Sequence, residues 1–352
     1  MGENERKLFL DGVRGVAASV VFFGHLSLAL TNAIWIFNGN AAVCIFFILS
    51  GYVLGDLAQR SQLSFPAQAI RRYLRLIFPM LITSAFAWAL LEAGAYRNQQ
   101  AAALLNTEWL GNWYRFTPDF PAMVWETVYG VFSSGNSDYN CNLWTMRPEL
   151  IGSLFVFGIN AIARTRGLRA LGFLLLGVIY WSDYILLFSV GSLLHDFRHE
   201  FGGALKWGWV KAVVFAIGLF LCVATEKWLA ALHFPSANMI CWHMLAATMV
   251  VSSALYWSPL QTMLGSAVGR WLGRISFTLY LIHVPIICSL TSWIVISLPL
   301  NLAIPVAAAI TTIVVFAVST ATYRYIDQKP TQWSRSVGYL LDFDFWKFTK
   351  SA

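Results

Sequence analysis

Charged side chains are scarce in this sequence. Asp, Glu, Lys and Arg make up 12% of the 352 residues, against about 25% in an average soluble domain. Hydrophobic residues make up 58%, and the mean hydropathy is +0.62. A soluble core cannot absorb that much apolar surface. The composition therefore excludes a soluble globular enzyme, a disordered chain and a basic nucleic-acid-binding protein.

Cysteine pairs, repeats and linkers are also missing. The sequence has five Cys and no CxxC pair, and four of the five lie inside apolar runs. This pattern argues against a disulfide framework or a zinc cluster, so we expect buried thiols and no metal site. No internal repeat, flexible linker or signal-peptide cleavage site is evident. We therefore expect a single domain over residues 1–352 whose first helix is retained.

Long apolar runs dominate what is present. A bilayer core of about 30 Å needs about 20 helical residues. The runs predict an all-α integral membrane protein with about ten transmembrane helices, of which the fifth to seventh are short. They cover residues 14–36, 41–58, 75–96, 143–163, 169–182, 183–197, 211–225, 238–257, 275–297 and 302–324.

The basic residues indicate how these spans are oriented. Lys and Arg favour cytoplasmic segments. If the N-terminus is cytoplasmic, all but four of the 24 Lys and Arg fall on inner segments, the exceptions being Arg97, Arg115, Arg147 and Lys227. This bias predicts that both termini are cytoplasmic, with a cytoplasmic tail over 325–352. The net charge of +7 then reflects topology.

One long segment, 97–142, is expected on the outer side. It is rich in aromatic residues, including Trp109 and Trp113, with Trp144 just beyond it. Two interpretations remain open. The segment is either an amphipathic helix at the membrane interface or a surface on which sugar rings stack.

Ionisable residues inside a membrane are costly and therefore functional candidates. Arg14 lies at the start of the first span, and His25 lies within it. Eleven helical residues return the chain to within about 20° of the same face and advance it by about 16 Å. His25 is thus expected near the bilayer midplane, on the stripe that begins at Arg14. Asp11, one turn before Arg14, is expected to orient the guanidinium.

Further candidates follow along the chain. Ser50 and Gly51 in FFILSG permit close helix approach or exposure of backbone to a ligand. Arg71, Arg72 and Arg75 begin the third span, and clustered guanidinium groups bind phosphate or anionic lipid.

Two later spans add further ionisable groups. Glu149 follows Pro148 at the start of the fourth span, where a carboxylate can orient an imidazole or accept a hydroxyl proton. In the ninth span Ser276, Tyr280 and His283 fall near one helix face, just before Pro285.

Together these segments resemble the acyltransferase-3 family of integral membrane acyltransferases. The resemblance rests on six blocks in order, spread over about residues 9–330: LDGVRGVAASVVFFGH, FFILSG, RRYLRLIFP, LWTMRPE, GRISFTLYLIHVPI and YRYIDQKP. Thr145 stands where the family usually has Ser, and Asp327 where it usually has Glu. We expect a stand-alone form of the family, without the extracytoplasmic hydrolase-like domain that some members carry.

The resemblance implies transfer of an acyl group, commonly acetyl, from cytosolic acyl-CoA to a sugar hydroxyl at the outer face of the plasma membrane. No cofactor would be bound permanently. We expect catalysis by His25, Glu149 and Arg14, and donor binding by Arg14, Arg71, Arg72, Arg75, Ser50 and Gly51. We expect acceptor binding by Trp109, Trp113, Trp144, Tyr280 and His283. The alternative is a polytopic transporter or flippase of a lipid-linked glycan.

Overall fold

The computed structural model describes residues 3–33, 36, 38–204, 206–224, 226–231 and 238–350. This part is helical and contains no strand. Its α-helices are α1 (Glu3–Thr31), α2 (Gly39–Arg60), α3 (Phe65–Glu92), α4 (Asn98–Leu105), α5 (Glu108–Gly111), α6 (Phe120–Trp125), α7 (Val131–Ser133), α8 (Met146–Ile162), α9 (Arg166–Ile179), α10 (Ile185–Asp196), α11 (Arg198–Ala204), α12 (Gly208–Val223), α13 (Glu226–Ala231), α14 (Met239–Tyr256), α15 (Ser258–Leu264), α16 (Ala267–Ile286), α17 (Ser292–Ser297), α18 (Leu300–Tyr323) and α19 (Lys329–Lys350). A 3₁₀ helix covers Cys141–Thr145, and π-helical turns cover Glu126–Gly130, Ile287–Thr291 and Arg324–Gln328.

Several of these helices are long and apolar enough to cross a bilayer. Within the described residues there are six such segments, namely Leu8–Thr31, Gly39–Arg60, Phe65–Glu92, Met239–Tyr256, Ala267–Ser297 and Leu300–Leu340. The other four predicted spans correspond to α8, α9, α10 and α12, which have 12 to 17 residues. The all-helical membrane architecture is confirmed, and the count of ten spans stays a prediction.

Two helices begin well before the apolar runs that predicted them. α1 starts at Glu3, and α3 starts at Phe65, where Pro66 occupies the first turn. Proline suits that position because the first turn needs no N–H donor. Hydropathy detects only the apolar part of a helix and misses its polar first turns. Arg14 and Arg72 therefore project from the sides of helices and do not mark their starts.

The centre of the bundle is the contact between α1 and α16, which run parallel. A Cβ atom on Gly15 would lie 2.5 Å from Leu272, and one on Gly273 would lie 2.5 Å from the carbonyl oxygen of Asp11. Only glycine permits so close an approach of two backbones. This contact brings the face of α1 that carries Arg14 and His25 against α16.

Gly51 has the same packing role between α2 and α10. A Cβ atom there would lie 2.3 Å from the carbonyl oxygen of Phe188. The sequence left open whether Gly51 permits close helix packing or exposes backbone to a ligand, and the structure shows close helix packing. Its neighbour Ser50 faces the other way, into the cavity described below.

The two segments predicted as a loop and a tail are both folded. Residues 97–142 form the short helices α4 to α7 and cover one end of the bundle, which we call the loop end. Residues beyond 324 form a π-helical turn and α19, which packs along α3. Gly338 of α19 lies against the side chain of Arg71.

Candidate active site

A cavity of about 650 Å³ opens at the opposite end of the bundle, between α1, α2, α3, α8, α16 and α19. We call this the arginine end, because arginines outnumber carboxylates in the lining by six to three. These charged residues are Arg14, Arg71, Arg72, Arg75, Arg274, Arg335, Asp11, Glu149 and Asp327. The excess of positive charge suits an anionic ligand.

Deeper in, toward Tyr280, the walls of the cavity become apolar. Its walls there include Phe46, Phe47 and Leu54 of α2. Along α16 it is lined in turn by Gly273, Phe277 and Tyr280, so Tyr280 lies about 10 Å further in than Gly273 at 1.5 Å per residue. This lining suits a ligand with a charged head and a less polar arm.

Glu149 pairs with Arg72 in the wall of this cavity. Arg72 Nη2 donates to Glu149 Oε1, and Ser50 Oγ donates to the same oxygen over 2.6 Å. Arg72 Nε donates to Ser153 Oγ over 2.9 Å. Glu149 thus orients a guanidinium and a hydroxyl. No contact with an imidazole is seen for it in the described chain.

Arg75 and Arg14 also have acidic partners. Arg75 Nη2 donates to Asp327 Oδ1, and its guanidinium lies 5.0 Å from the ring centroid of Phe277. Arg75 Nη1 is buried and has no hydrogen-bond partner in the described part of the protein. Arg14 Nη1 lies 3.4 Å from Asp11 Oδ1, as their spacing predicts. The arginines are oriented, and Arg75 keeps one donor unused.

Beyond Tyr280 lie two histidines in direct contact. His25 Nδ1 is 2.8 Å from His283 Nε2, and the two rings lie edge to edge, with centroids 5.1 Å apart and 24° between their planes. Neither ring lines the cavity. The ring of Tyr280 lies 6.1 Å from that of His283, and its hydroxyl contacts Thr145 Oγ1 over 3.0 Å. Tyr280 therefore lines the cavity and also packs against the histidine pair.

Two asparagines that the sequence did not indicate hold the backbone beside this pair. Asn140 Nδ2 donates to the carbonyl oxygen of Leu281 over 2.7 Å, and Asn142 Nδ2 donates to that of Tyr280 over 2.8 Å. Pro285 lacks the N–H that would normally bond to the carbonyl of residue 281. Pro285 indicates from the sequence that the carbonyl of Leu281 needs another hydrogen-bond donor. Only the tertiary structure shows that Asn140 is that donor.

At the loop end, Trp109 covers His25. The two rings stack with centroids 4.9 Å apart, and Trp113 meets Trp109 edge-on at 5.9 Å. Asn98, which is buried, donates to the carbonyl oxygens of Leu110 and Trp113 and fixes this turn. Trp144 lies elsewhere, against Tyr184 of the turn before α10.

A carboxylate in the same folded loop is also partly buried. Burial raises the pKa of Glu126 to about 7, and the nearby Asp138 adds to the rise. The backbone N–H of Tyr139 donates to Glu126 Oε1 over 3.0 Å and opposes this shift. Glu126 therefore exchanges its proton near neutral pH.

Comparison with known proteins places the chain in a family. A family model described as an acyltransferase domain matches residues 7–324. The chain belongs to the acyltransferase-3 family. It is therefore a multi-pass membrane acyltransferase, and α19 lies beyond the matched region. The resemblance of the six blocks is confirmed.

Individual relatives are distant. The chain is similar to acyltransferase clz18 of Cochliobolus lunatus, at 25% identity over 81% of this chain and 84% of the relative. It is similar to O-acetyltransferase PaAT-1 of Phomopsis amygdali, at 25% identity over 81% and 74%. It also resembles the nodulation protein NolL of Mesorhizobium japonicum, at 22% identity over 63% and 57%. No solved structure matches the chain.

Proposed function

We propose that the protein transfers an acetyl group from cytosolic acetyl-CoA to a hydroxyl of a sugar or surface glycan. In this proposal the arginine end faces the cytoplasm and the loop end faces outward from the plasma membrane. One observation carries the proposal: the arginine-lined cavity becomes apolar with depth, and Tyr280 in its inner wall packs against His283 of the histidine pair.

The charge and polarity of the cavity lining support a CoA thioester as the donor. The phosphates of CoA suit Arg71, Arg72 and Arg75, because guanidinium groups bind phosphate oxygens in pairs. Arg335 brings further positive charge from α19. The pantetheine arm is comparable in length to the rise of about 16 Å between Arg14 and His25.

His25 then carries the chemistry by one of two routes. As a general base, it takes the proton of the acceptor hydroxyl while the oxygen attacks the thioester carbon. The C–O bond forms, the C–S bond breaks, and the CoA thiolate recovers the proton from the imidazolium. As an acyl carrier, His25 attacks the thioester carbon, the C–N bond forms, the C–S bond breaks and CoA leaves as its thiolate. The acceptor oxygen then attacks the acyl carbon, the C–N bond breaks, and the hydroxyl proton passes to the thiolate. Both routes need an unprotonated ring nitrogen on His25.

The acceptor is proposed to arrive at the loop end. Trp109 stacks on His25 and Trp113 meets Trp109 edge-on, and aromatic faces pack well against sugar rings. The name of the Phomopsis relative, an O-acetyltransferase, supports acetyl as the group and oxygen as its acceptor. Trp144 packs beside Tyr184, so we place it further from His25 in the proposed acceptor-binding surface than Trp109 and Trp113.

The test uses purified protein in nanodiscs with radiolabelled acetyl-CoA and a panel of soluble oligosaccharides. We expect labelled sugar that depends on both substrates and is lost on mild alkaline cleavage of the ester. Mass spectrometry of surface glycans from cells with and without the protein identifies the acceptor. If no labelled sugar formed and a glycan crossed the vesicle membrane without acetyl-CoA, the result would instead support a transporter.

A further inference from the structure

We infer that His283 is a positioning residue that holds His25 in one tautomer, with its Nε2 unprotonated and available to the acceptor. This inference rests on the proposed function, in which His25 performs the transfer. It assigns to His283 a role in proton placement instead of acceptor contact.

The orientation of His283 begins at a backbone carbonyl. His283 Nδ1 lies 2.9 Å from the carbonyl oxygen of Leu279. A carbonyl oxygen only accepts hydrogen bonds, so Nδ1 must carry the proton. In a neutral imidazole the second nitrogen is then an acceptor. His283 therefore presents a lone pair on Nε2, and that atom faces His25.

The protonation of His25 follows from that lone pair. His25 Nδ1 lies 2.8 Å from His283 Nε2, and this contact is a hydrogen bond only if His25 donates. The proton of His25 therefore sits on Nδ1, and Nε2 is left with its lone pair. Nε2 makes no hydrogen bond with any described residue, and the ring is only partly buried. It is free to meet a substrate.

The surroundings keep both rings neutral at rest. The side chain of His283 is fully buried, and it touches Phe22 edge-on at 6.0 Å. No carboxylate contacts either ring in the described part of the chain. A buried charge without a counter-ion is costly, so the pair with one proton on each ring is the stable state.

The backbone that orients His283 is itself held in place. The carbonyl groups of Tyr280 and Leu281 are fixed by Asn142 and Asn140. The turn of α16 before Pro285 is thereby secured, although proline interrupts its regular bonding. Full burial behind His25 also leaves His283 no free face for an acceptor, which argues against direct binding.

The arrangement helps in the transfer step itself. When His25 Nε2 takes a proton or an acyl group, the ring becomes cationic and its Nδ1–H donates more strongly. His283 Nε2 accepts that bond and stabilises the cation without a second proton transfer. Removing the acceptor should therefore weaken His25 as a base, and should also allow the proton to move to Nε2.

Two variants separate this role from packing. His283→Leu keeps the volume and removes the acceptor, while His283→Gln places an amide oxygen where Nε2 was. We expect kcat to fall by about 100-fold in His283→Leu, within the range of general-base effects, with little change in donor affinity. The acidic limb of its pH–rate profile should move to lower pH. His283→Gln should recover part of kcat and shift the limb back. Wild-type kcat and an unmoved limb in a folded His283→Leu protein would overturn the inference.

The tautomer can also be read without a variant at position 283. Nitrogen-15 NMR of protein labelled at histidine, with the His25 signals identified by His25→Ala, should show a protonated Nδ1 and an unprotonated Nε2. The reverse pattern would contradict the inference. Absence of labelled sugar from the wild-type protein would refute the proposed function itself. Normal turnover by His25→Ala would instead refute the catalytic role of His25 on which this inference depends. Loss of turnover in His25→Ala alongside full activity in His283→Leu would refute only the role of His283.

Discussion

The cavity at the arginine end and the histidine pair are built on the same two helices but have opposite electrostatics. At one end of the α1–α16 contact, Arg14 and its neighbours are charged and open to solvent. At the other end, His25 and His283 have neither a counter-ion nor a charged neighbour among the described residues. A cation close to an imidazole makes its protonation harder. Separating donor binding from proton transfer therefore preserves the basicity of His25.

The largest effect should come from His25→Ala. This change removes the proposed base or carrier, so kcat should fall by at least about 10²–10⁴. The donor affinity should stay within about twofold, because the arginine cavity is untouched. Turnover of labelled acetyl-CoA and calorimetric donor binding measure the two quantities. His199→Ala, at an exposed histidine, is the control. Equal loss of binding and turnover would contradict the separation of the two sites.

Next in size is the loss of donor affinity in Arg72→Met. Charge-assisted hydrogen bonds contribute about 1.5–3 kcal/mol, so the Kd for acetyl-CoA should rise about tenfold to 100-fold. Part of the lost donor affinity will come from the unpaired negative charge of Glu149. Adding Glu149→Gln to Arg72→Met should therefore restore part of the affinity. The exposed Arg324 serves as the control through Arg324→Met. If the acceptor affinity fell as much as the donor affinity, these residues would instead maintain the fold.

A smaller effect is expected at the aromatic cover. Trp109→Ala removes the ring stacked on His25, and such contacts contribute about 0.5–1.5 kcal/mol beyond their area. The KM for the acceptor should therefore rise about threefold to tenfold, while slow hydrolysis of acetyl-CoA persists. Trp181→Ala, at an exposed ring, is the matched control. Loss of a monodisperse protein would show that Trp109 anchors the loop in the membrane interface.

The smallest effect concerns pH and Glu126. Its pKa is raised in the folded protein to about 7, above its unfolded value. The protonated group therefore adds stability that is complete at low pH and is lost as pH rises from about 4.5 to about 7. Thermal unfolding should show the melting temperature falling over this range by about 2 °C or more. Glu126→Gln should flatten the decline. If the melting temperature of Glu126→Gln still fell with pH at the wild-type slope, the pH dependence would come from another group.

The sequence predicted what depends on local periodicity. Helix geometry accounts for the shared face of Arg14 and His25 and for the arginine cluster that includes Arg72. It also accounts for the missing backbone hydrogen bond at Pro285. The pairing of Arg75 with Asp327 joins residues 252 positions apart, and no local pattern contains it. The contact between His25 and His283 likewise depends on the close packing of α1 on α16.

Other features were hidden because hydropathy reports neither depth nor tertiary neighbours. It counted residues beyond 324 as a tail, although α19 supplies Arg335 to the cavity. It gave no means to distinguish Trp109, which covers His25, from Trp144, which lies against Tyr184. The roles of Asn140 and Asn142 appear only once the backbone of α16 is in place.

The most direct test of the account is a structure with a donor analogue that cannot transfer its acyl group, such as S-(2-oxopropyl)-CoA. We predict that its phosphates contact Arg71, Arg72 and Arg75 in the cavity. We also predict that its carbonyl group passes Tyr280 and lies within reach of His25 Nε2. An analogue bound at the loop end, or one whose carbonyl group remains on the arginine side of Tyr280 with the acceptor also bound, would contradict the account.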